Sequence, residues 1–222
     1  MSNENNSINA GLIEARRDYT ASTLRRNDLA PNPFSQFTQW LQDARDQQIL
    51  DATAMSLSTV DSDGQPHSRI VLLKSFDEQG FIWYTYQQSD KAQQIEDNPQ
   101  AALLFYWCAL ERQVRIEGRV EKLDPADADD YFYSRPEGSR FSAAASVQSK
   151  PVSGRDVLEA RVEQLREQYP DGNVPRPEVW GGYRIRPKRI EFWQGRADRL
   201  HDRFVFEQAG HESNWSINRI SP

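Results

Sequence analysis

Arginine is the residue type through which this sequence offers chemistry most plainly. It recurs in groups, Arg16-Arg17, Arg25-Arg26, Arg184 to Arg189 and Arg196 to Arg203, in a chain of 222 residues with a formal net charge of −6. An acidic protein that gathers its guanidinium groups suits small anionic ligands, because the planar fork of donors matches phosphate or carboxylate. For any single arginine, solvated charge or an exposed ion pair, which contributes little, is the favoured reading. The negative balance argues against a general nucleic-acid binder, whose affinity needs a basic surface. Other chemistries lack their residues: there is no GxGxxG, Walker loop, HExxH or GxSxG. His67, His201 and His211 are too few and scattered for a zinc site. Cys108 stands alone, so no intrachain disulfide or cysteine-based metal cluster forms, and no metal is expected. Arginine, lysine, glutamine and aromatic side chains without a nucleophile and its base suit an organic cofactor that performs the difficult step itself.

Those side chains must be carried by a mainly β framework. Residues 1–15 are polar and predict a flexible segment, and residues 16–222 read as one domain. Pro33 opens an amphipathic helix with Phe34, Phe37, Trp40, Leu41 and Ala44 on one face. The period then changes. Ala54 to Val60 and His67 to Lys74 predict strands joined through the Asp63-Gly64 turn. Asp77 to Gly80 turns into the aromatic strand Phe81 to Tyr86. Ser89 is placed to cap a short helix that ends before Pro99. Ala101 to Trp107 and Gln113 to Leu123 predict further strands. Asp124-Pro125 starts a helix through Tyr133, and Ser153 is placed to cap another whose buried stripe is Leu158, Val162, Leu165 and Tyr169. After a loop at Pro170 to Pro177, Tyr183 to Trp193, Phe204 to Gln208 and Trp215 to Ile220 alternate apolar with polar. They complete an antiparallel β-barrel with peripheral helices. No apolar run is long enough to span a membrane, and the N-terminus shows neither a signal core nor a transit composition, so a cytoplasmic protein is expected.

Several motifs in this framework resemble one family. RIVLLK from Arg69 to Lys74, LERQV from Leu110 to Val114, YFYSRP from Tyr131 to Pro136, WGGY from Trp180 to Tyr183, IEFWQG from Ile190 to Gly195 and RLHDRF from Arg199 to Phe204 are together similar to pyridoxine/pyridoxamine 5'-phosphate oxidases. The likeness runs from about residue 14 to residue 222. It implies an FMN-binding split β-barrel with Greek-key antiparallel strands, assembled as a homodimer whose two sites form between subunits. It further implies oxidation of pyridoxamine or pyridoxine 5'-phosphate to pyridoxal 5'-phosphate, with O2 reduced to H2O2, within vitamin B6 biosynthesis and salvage.

By the same resemblance, Arg69, Ile70, Val71, Leu72, Leu73 and Lys74 form the flavin strand, joined as FMN contacts by Tyr84, Thr85, Lys91, Gln113, Gln148, Ser149, Trp193 and Arg203. On composition alone Ile70 to Leu73 would be a barrel strand and Trp193 a core aromatic. The substrate phosphate falls to Lys74, Tyr131, Arg135 and Ser139. Arg199, Leu200 and His201 flank the pyridine ring, with Arg199 and His201 as the catalytic candidates, and Arg16, Arg17 and Tyr19 belong to an N-terminal segment that closes over it. Read as strand residues, Arg199 and His201 share a face. Two positions depart from the family pattern: Asp90 replaces an arginine near the expected FMN phosphate, and Ala144 replaces a tryptophan. The rival readings are a split-barrel reductase, which would not need the Lys74, Tyr131, Arg135 and Ser139 set, and a non-catalytic flavin or pyridoxal phosphate binder.

Overall fold

The structure is a computed structural model that describes residues 17–208 and 214–222; segment 1–15, Arg16 and His211 lie outside them. The first long helix, α1 (Pro33–Asp46), starts where Asn32 accepts a hydrogen bond from the Ser35 amide (2.8 Å) and Pro33 takes a position that needs no N–H. Its face of Phe34, Phe37, Trp40, Leu41 and Ala44 is buried. The Phe37 ring sits 5.0 Å from both Phe81 and Phe105, so the helix closes the main core against the sheet.

The strands are β1 (Ala54–Val60), β2 (Pro66–Leu72), β3 (Ser75–Asp77), β4 (Gly80–Tyr86), β5 (Gln100–Trp107), β6 (Arg112–Lys122), β7 (Trp180–Gln194), β8 (Asp202–Gln208) and β9 (Trp215–Arg219). They form one antiparallel sheet in the order β2-β1-β5-β6-β7-β4-β3, with β8 on β7 and β9 on β8. β7 is where the barrel splits. One of its edges pairs with β6 from Tyr183 to Gln194, while the other pairs with β4 over Trp180 to Ile185 and with β8 over Arg189 to Gln194. Pro187, which has no N–H to give, falls between the two halves. The β6 register slips there between Glu117 and Gly118. Gly118 is required by that approach, because a Cβ would lie 2.0 Å from the Arg186 carbonyl oxygen.

The helices α2 (Asp90–Asp97), α3 (Pro125–Ser134), α4 (Glu137–Ala145) and α5 (Arg155–Gln168) lie outside the strands. Phe132, Phe141, Val174 and Trp180 form a smaller core beneath α3 to α5. No helix among the described residues is long and apolar enough to cross a membrane.

The strands match the sequence expectation with several corrections. β2 ends at Leu72, and Lys74 instead gives its amide to Ile82 before a short β3. Ser89 occupies the cap of α2, but its hydroxyl donates back to the Tyr86 carbonyl (2.7 Å). Gly154, not Ser153, precedes α5, and the stripe Leu158, Val162, Leu165 and Tyr169 is only half-buried. α4 escaped the sequence reading because only Phe141 and Ala145 are buried on it, too few to show a period. Arg199 is not on a strand. Ala197 to Arg199 form a 3-10 turn in which Asp198 and Arg199 have φ of 54° and 60°, and left-handed backbone cannot continue a β-ladder. The turn is closed where the Arg196 amide donates to His201 Nδ1 (3.1 Å).

Candidate active site

A cavity of about 1180 Å³ opens between β2, β4 and the helices α3 to α5. From β2 and the turn after it come Arg69, Ile70, Val71, Leu72 and Lys74; from β4 come Tyr84 and Thr85; from the first turn of α2 comes Lys91. Tyr131, Arg135, Ser139 and Gln148 add further polar groups. Leu73, the residue after β2, points into the core at 5% exposure, continuing the alternation of the strand before it.

The charge of this lining is unbalanced. Its two glutamates, Glu159 and Glu163, pair on α5 with Arg155 and Arg166. Arg69, Lys74, Lys91 and Arg135 have no carboxylate in ion-pair contact among the described residues. Arg69 donates only to neutral acceptors: the Leu57 and His67 carbonyls, Thr59 Oγ1 (2.6 Å) and Gln94 Oε1 (2.8 Å). Lys91 Nζ donates to Gln148 Oε1 (2.6 Å) and, at 3.3 Å, to the hydroxyls of Thr85 and Ser89. Burial first, then the Arg69 charge, pushes the Lys91 ammonium down to about 8, against a smaller opposing pull from Asp90. Arg69 and Arg135 are likewise lowered, chiefly by burial. Arg135 Nη1 is buried without a hydrogen-bond partner, an arrangement that costs free energy until an acceptor arrives.

Aromatic rings form the wall beside these cations. Tyr84 stacks on Tyr131 (4.1 Å) and on Trp180 (5.5 Å), and the Arg135 guanidinium lies 5.0 Å from the Trp180 ring centre. Gly182 makes room for this wall, since a Cβ there would come within 2.9 Å of the Tyr84 ring.

A second group gathers at the far end of β7 and lines none of this cavity. Trp193 is half-buried rather than a core aromatic. The His201 ring is 4.7 Å from Trp193, and Tyr19 meets both edge-on at 5.6 and 5.5 Å. Gln113 stands opposite Trp193 in the β6–β7 register. Arg17 binds Glu111 (2.6 Å), and Arg203 binds Glu191 (2.8 Å) and the Ser221 carbonyl. Arg199 and Leu200 are exposed, Leu200 at 71%. His201 titrates below its ordinary range because of burial, then Arg199 and Arg203.

Comparison with known proteins decides the family. Residues 41–169 match the model for pyridoxamine 5'-phosphate oxidase, and residues 180–222 match that for the pyridoxine 5'-phosphate oxidase C-terminal dimerisation region. The pyridoxine/pyridoxamine 5'-phosphate oxidase 1 of Hydrogenovibrio crunogenus is 50% identical over 208 residues, 93% of this chain and 96% of its own. The chain belongs to the pyridoxine/pyridoxamine 5'-phosphate oxidase family. The oxidase of Nostoc sp. PCC 7120 is 48% identical over 95% of this chain and 98% of its own. Among solved structures, PhzG from Burkholderia lata, in complex with tetrahydrophenazine-1-carboxylic acid, superposes with a TM-score of 0.84. It is 28% identical and covers 90% of this chain and 98% of its own. A pyridoxamine 5'-phosphate oxidase-related, FMN-binding protein from Nostoc punctiforme shares the fold, with a TM-score of 0.70 at 18% identity over 87% of this chain and all of its own.

Of the positions that resemble the oxidase family's contacts, the structure unites Arg69 to Leu72, Lys74, Tyr84, Thr85, Lys91, Tyr131, Arg135, Ser139 and Gln148 in one cavity. Ser149 follows Gln148 in left-handed backbone (φ 66°) and accepts from the Asp90 amide. Arg17, Tyr19, Gln113, Trp193, Arg199, Leu200, His201 and Arg203 stand apart from it. Two residues that support these groups from behind carried no sequence signal of their own. Gln94 looks like any helix glutamine, yet it is buried and bridges Arg69 and Thr59. Glu111 sits inside a motif that drew attention to its neighbours. A polar residue on an apolar helix face was the one available hint for Gln94.

Proposed function

We propose that this protein binds FMN and oxidises pyridoxamine and pyridoxine 5'-phosphates to pyridoxal 5'-phosphate, with residues 16–222 acting as one cytoplasmic unit. The observation that carries this reading is the set of four cations, Arg69, Lys74, Lys91 and Arg135, left without carboxylates in one cavity. Two phosphate monoesters bring about −3 to −4 charges, which four cations match. One phosphate belongs to FMN and one to the substrate.

The residues present fit that pair of ligands. Arg69 and Lys91 would take the FMN phosphate, and the β2 backbone through Lys74 would run beside the ring. Thr85 and Gln148, with Gln113, Ser149, Trp193 and Arg203, would satisfy its polar edges and face. Lys74, Tyr131, Arg135 and Ser139 would hold the substrate phosphate, whose oxygens supply the acceptor that buried Arg135 Nη1 lacks. Bound FMN would supply a two-electron acceptor for the hydride that leaves the substrate C4' carbon; the alcohol gives the aldehyde on losing its hydroxyl proton, the amine gives an imine that water hydrolyses with release of ammonia, and O2 takes two electrons and two protons to become H2O2. The protein's share is positioning and charge balance. Arg199 orients the pyridine ring and faces its developing charge. His201 Nδ1 accepts the Arg196 amide, so the neutral imidazole carries its proton on Nε2, as a donor toward the ring. Arg16, Arg17 and Tyr19 cover the bound substrate.

The two groups belong to one site only if a second copy supplies the missing half. We therefore place the cavity of one protomer against the Trp193 and His201 group of its partner in a homodimer. The match to a dimerisation region over residues 180–222 supports this. So does the exposed apolar edge of β2, with Ile70 at 68% and Leu72 at 40%. The test is direct: record the visible spectrum of the purified protein, then measure peroxide on adding pyridoxamine 5'-phosphate. A protein that neither takes up FMN nor releases peroxide sinks the proposal.

A further inference from the structure

We infer that Glu111 is a positioning residue: its buried carboxylate pins residues 17–21 over Trp193 and His201 and so sets how tightly the N-terminal segment grips substrate. The pinning stands on geometry alone, whereas its effect on substrate rests on the proposed oxidase function.

Glu111 lies between β5 and β6 with a left-handed φ of 55° and 4% exposure, a conformation that a non-glycine residue holds only when its surroundings impose it. They do so from both sides. Its amide donates to the Cys108 carbonyl (3.1 Å), and its carbonyl accepts the Gly195 amide (2.8 Å) and Gln194 Nε2 (3.2 Å). The side chain is thereby fixed, and each carboxylate oxygen holds a different part of the segment. Oε1 accepts from Arg17 Nη1 (2.6 Å) and Oε2 from the Ala21 amide (2.9 Å).

Tyr19 is caught between those two anchors. The Arg17 guanidinium lies 4.7 Å from its ring centre, and the ring stands edge-on to Trp193 and His201. It rests on Gly195, where a Cβ would come within 2.8 Å of Tyr19 Cγ. One residue therefore fixes both the floor, through its backbone bond to Gly195, and the strap above it, through its carboxylate. Glu111 makes no hydrogen bond or ion pair with Trp193 or His201, and it does not line the cavity. The chain beyond the strap is held separately. The Leu24 amide donates to Asp202 Oδ2 (3.1 Å), and Arg219 donates to the Leu24 carbonyl. Losing the Glu111 contacts therefore frees residues 17–21 without undocking Leu24.

Two variants of the FMN-loaded protein test this. Glu111→Gln keeps an acceptor for Ala21 but loses the charge that holds Arg17, and Ala21→Pro removes the strap's donor while leaving Glu111 intact. In Glu111→Gln the Ala21 amide hydrogen, which the carboxylate holds, should exchange about tenfold or more faster than wild type, the factor that one charge-assisted hydrogen bond represents. In both variants KM for pyridoxamine 5'-phosphate should rise by a similar factor while kcat stays within about twofold, because the strap grips substrate and transition state alike. Wild-type Ala21 exchange in Glu111→Gln together with wild-type KM in both variants overturns the inference, and faster exchange with unchanged KM overturns its positioning part. If Glu111→Gln does not fold, Ala21→Pro decides alone. A wild-type holoenzyme that leaves the substrate unoxidised would instead remove the proposed function, while the exchange rates still decide whether Glu111 pins the segment.

Discussion

Lys91 shows how much one residue's surroundings settle. Its ammonium is buried among neutral acceptors beside Arg69, and its pKa falls to about 8. An anion prefers the charged form, so binding must raise that pKa. FMN affinity should then be constant below about pH 8 and fall as pH rises through it, by at most about tenfold per pH unit for a single proton. The phosphate's own second ionisation, near 6, is complete in that window. Titration of apoprotein with FMN between pH 7 and 10 checks this, with Lys91→Met expected to bind more weakly and to lose the slope. A wild-type affinity flat to pH 10 would remove Lys91 from the phosphate site. Arg199 tests catalysis in the same spirit. Arg199→Met removes charge but keeps the apolar stem, so the variant should stay folded and yellow, bind substrate more weakly and reduce its flavin more slowly in single turnovers. Normal single-turnover rates in fully loaded protein would sink the assignment. His201→Asn should show a milder form of the same defect.

The elements were legible where one face of a period met one core. β1 and β6 alternate cleanly, and the α1 stripe is buried residue for residue. Legibility failed where local geometry overrode period. Nothing in Arg196 to His201 announces two left-handed residues, because neither is a glycine and the side-chain contact that closes the turn, His201 Nδ1 to the Arg196 amide, leaves no mark on the hydrophobic period. The candidate site divides in the same way. Clustered arginines pointed to an anion, but no spacing distinguishes Lys91, buried in the first turn of α2, from a surface lysine, and only the family resemblance singled it out. The split of β7 is the element on which both halves of the site depend, since it sends one end to the cavity wall and the other to Trp193. Gly118→Ala should damage it. The new Cβ meets backbone at Arg186, and forced overpacking costs about 1–3 kcal/mol or more, roughly 2–12 °C in Tm for a domain of this size. Gly138→Ala, in the open on α4, should leave Tm unchanged or raise it. Equal Tm values for the two variants would show that the strands part at Pro187 without needing the glycine.

At the scale of the whole molecule, a lone protomer leaves two things undone. Its cavity has cations and aromatic walls but no catalytic candidate, while Arg199 and His201 stand at the opposite end of β7 with nothing to act on. The lone protomer also exposes an edge strand, β2, whose outward residues include Ile70 and Leu72. Unpaired edges with apolar side chains are liabilities that a second copy can cover. A two-fold dimer would solve both problems at once, because an isologous interface brings each cavity to the other chain's Trp193 group. Assembly and cofactor retention should therefore be linked: on serial dilution, the fraction of dimer by sedimentation and the fraction of bound FMN by fluorescence should fall together. Ile70→Asp, which puts a charge on the covered edge, should shift both curves to higher protein concentration by the same factor. Ile70 also lines the cavity, so the two readouts must be compared rather than either taken alone. A variant that loses FMN yet stays dimeric would assign Ile70 to the ligand, and a stable monomer that keeps its flavin would end the shared-site model.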